Sequence, residues 1–279
     1  MPDYPESESG AAARRGPARS CGDRGDGCAV CGDGRDCPFP FTFSYQPIVD
    51  LASRSIFAHE ALVRGVAGEP AASVLERVDD ANRYRFDQAC RVQAIDLACD
   101  LGLIERAGEK LSINFLPHAV YRPEVCIQTT LGIARKRGLD VGSVIFEVTE
   151  GERIEDGPWF ASVLREYKRQ GFLTAIDDFG AGFAGLRLLA DFQPDIVKLD
   201  MELVRHVDKL PARQAIARAV IRLAEQMRMR LVVEGVEQAG ERDFFLHEGV
   251  TLFQGFLFAR PLLRGLARPD DAGLNLPVG

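Results

Sequence analysis

Apolar and polar positions change pattern near residue 41. Residues 1–40 are rich in Gly, Asp, Arg, Ser and Pro and carry almost no apolar side chains. Such a segment cannot bury enough surface to fold alone. Beyond it, short apolar runs and helical periodicities alternate. Residues 43–49 alternate and contain Pro47, and a short turn at 50–53 leads into a second run at 55–63; so short a connection predicts an antiparallel hairpin. From Ser73, apolar residues recur at helical spacing through Val74, Val78, Phe86, Cys90, Leu97 and Leu101, with Gly102 as a stop.

Strand-like runs then follow at 110–115, 143–149, 172–176, 195–200, 230–234 and 252–256. Between them lie helical stretches at 125–137, 158–170, 186–190, 212–227 and 238–247, the second with Pro158 in its first turn and Gly171 at its end. A strand–helix repeat sustained over about 220 residues predicts an α/β chain folded as a (β/α)₈ TIM-like barrel. The opening hairpin makes one of its strands antiparallel. A doubly wound open sheet is the rival, disfavoured because no Gly-rich first βα turn is present. The expected organisation is a low-complexity N-terminal segment at 1–40, a barrel domain at 41–265 and a C-terminal tail at 266–279.

Charge and composition narrow the chemistry. The 279 residues carry a formal net charge of −7, with no lysine- or arginine-rich face, which argues against nucleic acid as a partner. No apolar stretch reaches the ~18–20 residues of a membrane span, and the N-terminus lacks the apolar core of a signal peptide. A cytoplasmic protein with no membrane association is the expectation.

The predicted strands end in polar residues suited to metal binding or acid–base work: Glu60, Asn114, Glu147, Asp177 with Asp178, Lys198 with Asp200, Glu234 and Gln254. In a barrel these ends converge on one mouth. Adjacent carboxylates such as Asp177-Asp178 repel unless a cation neutralises them. Carboxylates and an amide oxygen suit Mg²⁺ or Mn²⁺, and no His or Cys lies among these strand-end residues, which disfavours zinc. The Asp-Asp pair fits two ions ~3.5–4 Å apart, which activate a water for phosphoryl displacement. Lys198 either supports such a step or is a lysine snorkelling at a strand end. Residues 82–87 read as a helix face near the mouth.

Seven motifs, in order, carry a family resemblance: Glu60-Ala61-Leu62 with Arg64, Ser112-Ile113-Asn114, Glu147-Val148-Thr149-Glu150, Asp177-Asp178-Phe179-Gly180, Val197-Lys198-Leu199-Asp200, Glu234-Gly235-Val236-Glu237 and Gln254-Gly255-Phe256. Together they resemble an EAL-domain cyclic di-GMP phosphodiesterase from about residue 44 to 261. The resemblance implies hydrolysis of one phosphodiester of cyclic di-GMP to linear 5′-pGpG by a water activated at two metal ions. It implies Glu60, Asn114, Glu147 and Asp177 as ligands of one ion, with Asp177 shared to a second beside Asp178 and Asp200. It makes Lys198 and Glu234 catalytic alongside Glu60. Gln46, Leu62, Arg64, Glu237 and Gln254 would meet the dinucleotide. Glu150 would tether the loop after Asp178, which in this family links the metal site to a homodimer interface.

The chain departs from the family pattern at Gly65, where tryptophan is common, and at 180–185, which reads Gly-Ala-Gly-Phe-Ala-Gly and lacks the usual hydroxyls. Two other readings stand beside the enzyme: a catalytically silent cyclic di-GMP receptor signalling through protein contacts, and a (β/α)₈ enzyme acting on another phosphate ester.

Of seven cysteines, Cys21, Cys28, Cys31 and Cys37 crowd the N-terminal segment in C-x₆-C-x₂-C-x₅-C spacing. The C-x₂-C bite followed by Gly32 resembles a metal knuckle. Zinc or iron binding, or redox sensing, is one reading of them; a tail with incidental cysteines is the other.

Overall fold

The structure is a computed structural model that describes residues 37–150, 157–182 and 185–274. Strands β1 (Thr42–Asp50) and β2 (Ser55–Arg64) form the opening hairpin, with β1 antiparallel to its neighbours. There follow α1 (Ala71–Leu75), α2 (Arg83–Asp100), β3 (Lys110–Asn114), α3 (Pro123–Arg137), β4 (Val144–Thr149), α4 (Gly157–Arg169), β5 (Leu173–Phe179), α5 (Gly185–Asp191), β6 (Ile196–Leu199), α6 (Met201–Val204), α7 (Pro211–Gln226), β7 (Arg230–Val233), α8 (Ala239–His247), β8 (Leu252–Phe253) and β9 (Leu262–Leu263). Strands β2 to β8 pair in sequence order and in parallel, and β1 closes the ring between β8 and β2. The fold is therefore the expected TIM-like barrel with one antiparallel strand, plus β9 on the outer half of β1.

Pro47 is tolerated in β1 for a local reason. The strand pairs with β9 at Ser44 and Tyr45 and with β8 at Val49 and Asp50. Pro47 falls between the two stretches, where a missing N–H costs least.

The long helix expected from Ser73 is broken. Asp79 accepts the N–H groups of Ala81 and Asn82 at 2.9 and 3.0 Å, a side-chain turn that competes with helix continuation. Helix α2 starts afresh beyond it. Helix α3 ends as its sequence predicts, at Gly138 in the left-handed region (φ 70°).

The main core lies between the strands and the surrounding helices. Phe39 and Phe41 join it ahead of β1. At the other end, residues 266–274, read from sequence as the start of a tail, bring Leu266, Ala267, Ala272 and Leu274 into the same core. Among the described residues, no helix is long and apolar enough to cross a membrane.

Candidate active site

A second, smaller apolar cluster fills the barrel itself: Ile48, Phe57, Ala58, Ile145, Ala175, Ile196, Val232 and Leu252. Side chains on a strand return to the same face every second residue. Two residues further toward the mouth, these strands therefore present Gln46, Glu60, Glu147, Asp177, Lys198, Glu234 and Gln254. On β3 the corresponding pair is Ser112 and Asn114. The interior changes from hydrocarbon to charge within one pleat.

Lys198 is the centre of that charged layer. Its Nζ lies 2.8 Å from Glu234, 2.9 Å from Asp177, 3.1 Å from Glu147 and 3.3 Å from Glu60. The lysine is fully buried, as is nearly all of Glu60 and Glu147. One ammonium group thus faces four carboxyl groups. Burial alone would lower the Lys198 pKa, but the carboxylates outweigh it and raise it well above the usual value. The acids carry the opposite burden. Burial pushes Glu147 up to about 8, with Lys198 opposing and Glu60 and Asp177 adding repulsion. Burial raises Glu234 well above its ordinary value despite Lys198. Asp178 is pushed up to about 6 by burial, then by Asp177 and Asp200. Protein groups alone leave this layer short of positive charge.

The donor set fits hard divalent cations. Ligand oxygens of Glu60, Glu147 and Asp177 lie within 4.8 Å of one another, and so do those of Asp177, Asp178 and Glu234. The two groups share Asp177. All donors are oxygen, the preference of Mg²⁺, Mn²⁺ and Ca²⁺. Asp200 belongs to neither group; one of its oxygens caps α6 by accepting the Glu202 N–H at 3.0 Å.

Backbone geometry explains how neighbouring Asp177 and Asp178 reach the same mouth. Consecutive strand residues ordinarily face opposite sides. Here the β5–β6 register shifts between Ile176 and Phe179, and Asp178 adopts φ +53°, a left-handed conformation that aspartate tolerates better than most residues. Glu150 braces the loop beyond. Its N–H donates to the Asp177 carbonyl at 2.9 Å, and its Oε2 accepts the Gly180 N–H at 2.6 Å. Phe183 and Ala184 lie outside the described residues.

Amides orient the first acid. Glu60 accepts from Asn114 Nδ2 at 3.0 Å and from Gln254 Nε2 at 2.7 Å. Gln46 donates to the Ala259 carbonyl at 3.2 Å. Gln254 Oε1 is buried and lacks a hydrogen-bond partner among the described residues, an acceptor aimed into the polar layer.

Above this floor opens a cleft of about 280 Å³, lined by Gln46, Glu60, Asp177, Asp178, Met201, Glu234, Gly235, Glu237, Gln254, Gly255 and Phe256. Leu62 and Arg64 share the Glu60 face of β2 but lie further out and do not line it; Arg64 donates to the Val63 carbonyl at 2.7 Å. Sequence reasoning missed Ser112, whose hydroxyl donates to Glu147, although its two-residue offset from Asn114 signalled the shared face. It also missed the apolar wall of Met201, Gly235, Gly255 and Phe256. A Cβ at Gly255 would collide with the Val236 backbone, so this glycine permits a close crossing of two loops.

Cys21, Cys28 and Cys31 lie outside the described residues. Cys37 is half-buried against the main core.

A closed barrel with an acid-rich, lysine-centred mouth at its strand ends defines a (β/α)₈-type protein whose mouth carries a carboxylate cluster. Within that class the chain belongs to the EAL-domain family, whose domain matches residues 40–261. A standalone versatile EAL protein from Vibrio cholerae O395, solved with c-di-GMP bound, superposes with a TM-score of 0.80 at 46% identity, covering 84% of this chain and 97% of that one. BlrP1 of Klebsiella pneumoniae, solved as a manganese/c-di-GMP complex, superposes with a TM-score of 0.77 at 37% identity over 82% of this chain and 58% of its own. Among curated proteins, the blue light- and temperature-regulated antirepressor BluF of Escherichia coli K12 is 36% identical over 225 residues, 80% of this chain and 55% of BluF. The cyclic di-GMP phosphodiesterase PdeR of the same strain is 38% identical over 116 residues, 42% of this chain and 18% of PdeR. The chain thus spans about half or less of these curated relatives' length.

Proposed function

We propose that this protein is a metal-dependent phosphodiesterase that hydrolyses cyclic di-GMP to linear 5′-pGpG. The observation that carries the reading is the polar layer: four acids around one buried lysine, with Asp177 common to two oxygen clusters. EAL relatives solved with c-di-GMP, one of them with manganese, support the substrate and the ion.

In this reading Glu60, Asn114, Glu147 and Asp177 hold one Mg²⁺ or Mn²⁺. Asp177, with Asp178 and at longer range Asp200, would hold a second such ion. When bound, such ions polarise the phosphodiester and make a water acidic enough to attack it near neutral pH. Lys198 would donate to the attacking water and to the phosphoryl oxygens on which charge builds. Glu234, with one oxygen 2.8 Å from Lys198, takes the proton. Gln46, Gln254 and Glu237 line the cleft where the dinucleotide sits, with Leu62 and Arg64 at its outer edge. Glu150 sets the loop after Asp178 and so the orientation of that carboxylate. Leu186 on α5, 69% exposed, offers apolar surface for a second copy, and the working form is a cytoplasmic homodimer.

Purified protein with Mn²⁺ or Mg²⁺ and cyclic di-GMP tests this directly. Chromatography should show pGpG accumulating with time. The similarity to an antirepressor favours a second reading, a silent receptor; tight binding of cyclic di-GMP without pGpG would select it. Failure to bind the dinucleotide would remove both.

A further inference from the structure

Behind the mouth, on the outer side of the barrel wall, lies a second buried cation that this chemistry does not use. Arg91 on α2 is completely buried. Its guanidinium pairs with Asp87, one turn earlier, at 2.8 Å and donates to the Tyr167 hydroxyl on α4 at 2.7 Å. The guanidinium carbon stands 5.4 Å from the Phe115 ring centre and 5.0 Å from that of Phe146. Phe115 directly follows Asn114, and Phe146 directly precedes Glu147. Strand alternation turns these rings outward where their neighbours turn inward. Asp87 also accepts the Leu116 N–H at 2.9 Å, two residues beyond Asn114. The Phe115 N–H in turn donates to the Glu147 carbonyl at 3.1 Å.

We propose that Asp87 and Arg91 are positioning residues for the metal-binding mouth. Asp87 fixes the Leu116 amide and with it the setting of Asn114; Arg91 holds Asp87 in place and packs against the two rings, next in sequence to Asn114 and Glu147. The inference rests on the assignment of Asn114 and Glu147 as ion ligands. A structural role alone is a poor account of the pair, because buried ion pairs replaced by apolar residues of similar volume are often as stable. An apolar replacement cannot accept the Leu116 N–H.

The test compares three full-length proteins for Mn²⁺ binding by calorimetry without dinucleotide, with thermal melting as the control for folding. Asp87→Leu with Arg91→Met removes the ion pair and the acceptor. Asp87→Asn with Arg91→Met removes the charges but keeps an oxygen for Leu116. The first should melt cooperatively and bind Mn²⁺ about tenfold more weakly, the scale of a lost supporting contact at a metal site. The second should recover most of that loss. Equal affinity in all three, or equal weakening in both variants, overturns the proposal. If the first variant does not fold, Tyr167→Phe decides in its place: it leaves both charges paired and should weaken Mn²⁺ measurably, and wild-type affinity there overturns the proposal. A wild-type protein that binds no Mn²⁺ instead defeats the metal-site reading itself.

Discussion

Two fully buried cations stand on opposite sides of the same barrel wall, and their surroundings differ. Arg91 has one carboxylate at ion-pair distance, one hydroxyl and three aromatic faces; its charge is matched, while its Nε is buried without a hydrogen-bond partner among the described residues. Lys198 has four carboxylates and, among the described residues, no aromatic cover; the acids outnumber it, and burial with repulsion from their neighbours raises the pKa values of Glu147 and Glu234. A balanced pair holds its neighbours in place. An unbalanced cluster, kept in the interior at a cost in stability, serves a ligand of opposite charge.

That contrast can be broken by substitution. Lys198→Ala should lower turnover by about a hundredfold to a thousandfold, the scale of losing one preorganised charge at a reaction centre, while the Mn²⁺-loaded protein still melts cooperatively. Full activity would return Lys198 to a bystander at a strand end. Arg91→Ala should act on the other axis, destabilising the fold by about 3–5 kcal/mol in denaturant titrations because Asp87 is left buried and alone. A loss near zero would mean that Asp87 already lacks a charge.

Metal should separate the two sites further. At a hundredfold excess over its Kd, Mn²⁺ should raise stability by about 2.7 kcal/mol, and chelation should reverse the gain together with all pGpG formation. The gain should survive in Tyr167→Phe more completely than in Asp177→Asn. The smallest effect concerns surplus charge itself. Asp178→Asn, at a partly exposed acid, should stabilise the metal-free protein by up to about 1 kcal/mol through relieved repulsion while weakening its ion binding. Destabilisation of the metal-free form would contradict the idea of excess negative charge.

Much of the site was legible because its signals are local. Period-two alternation names the face of each strand, and an acid or amide at the end of each run names the mouth. The Asp-Asp pair was visible, but its geometry was not: the register shift and the positive φ of Asp178 depend on how β5 meets β6. The break before α2 was hidden because the Asp79 turn interrupts an otherwise helical rhythm without Gly or Pro. Strand β9 and helix α6 were too short to leave a periodic trace. Asp87 and Arg91 were the least readable. Four residues apart on a helix, they look like a solvent-exposed pair; only the packing of Phe115, Phe146 and Tyr167 makes them interior.

The antiparallel placement of β1 has a consequence for biosynthesis. The ring closes where β1, near the beginning of the barrel, meets β8, near its end. Gln46 is anchored to Ala259, and Glu60 to Gln254, across separations of 213 and 194 residues. A nascent chain emerging from the ribosome can gather the acids of β2, β4 and β5 early. It cannot complete the hydrogen bonds of Glu60 until Gln254 is synthesised and docks beside the first hairpin. Competence therefore arrives late and at once, and an interrupted translation product carries the acids without the assembled mouth.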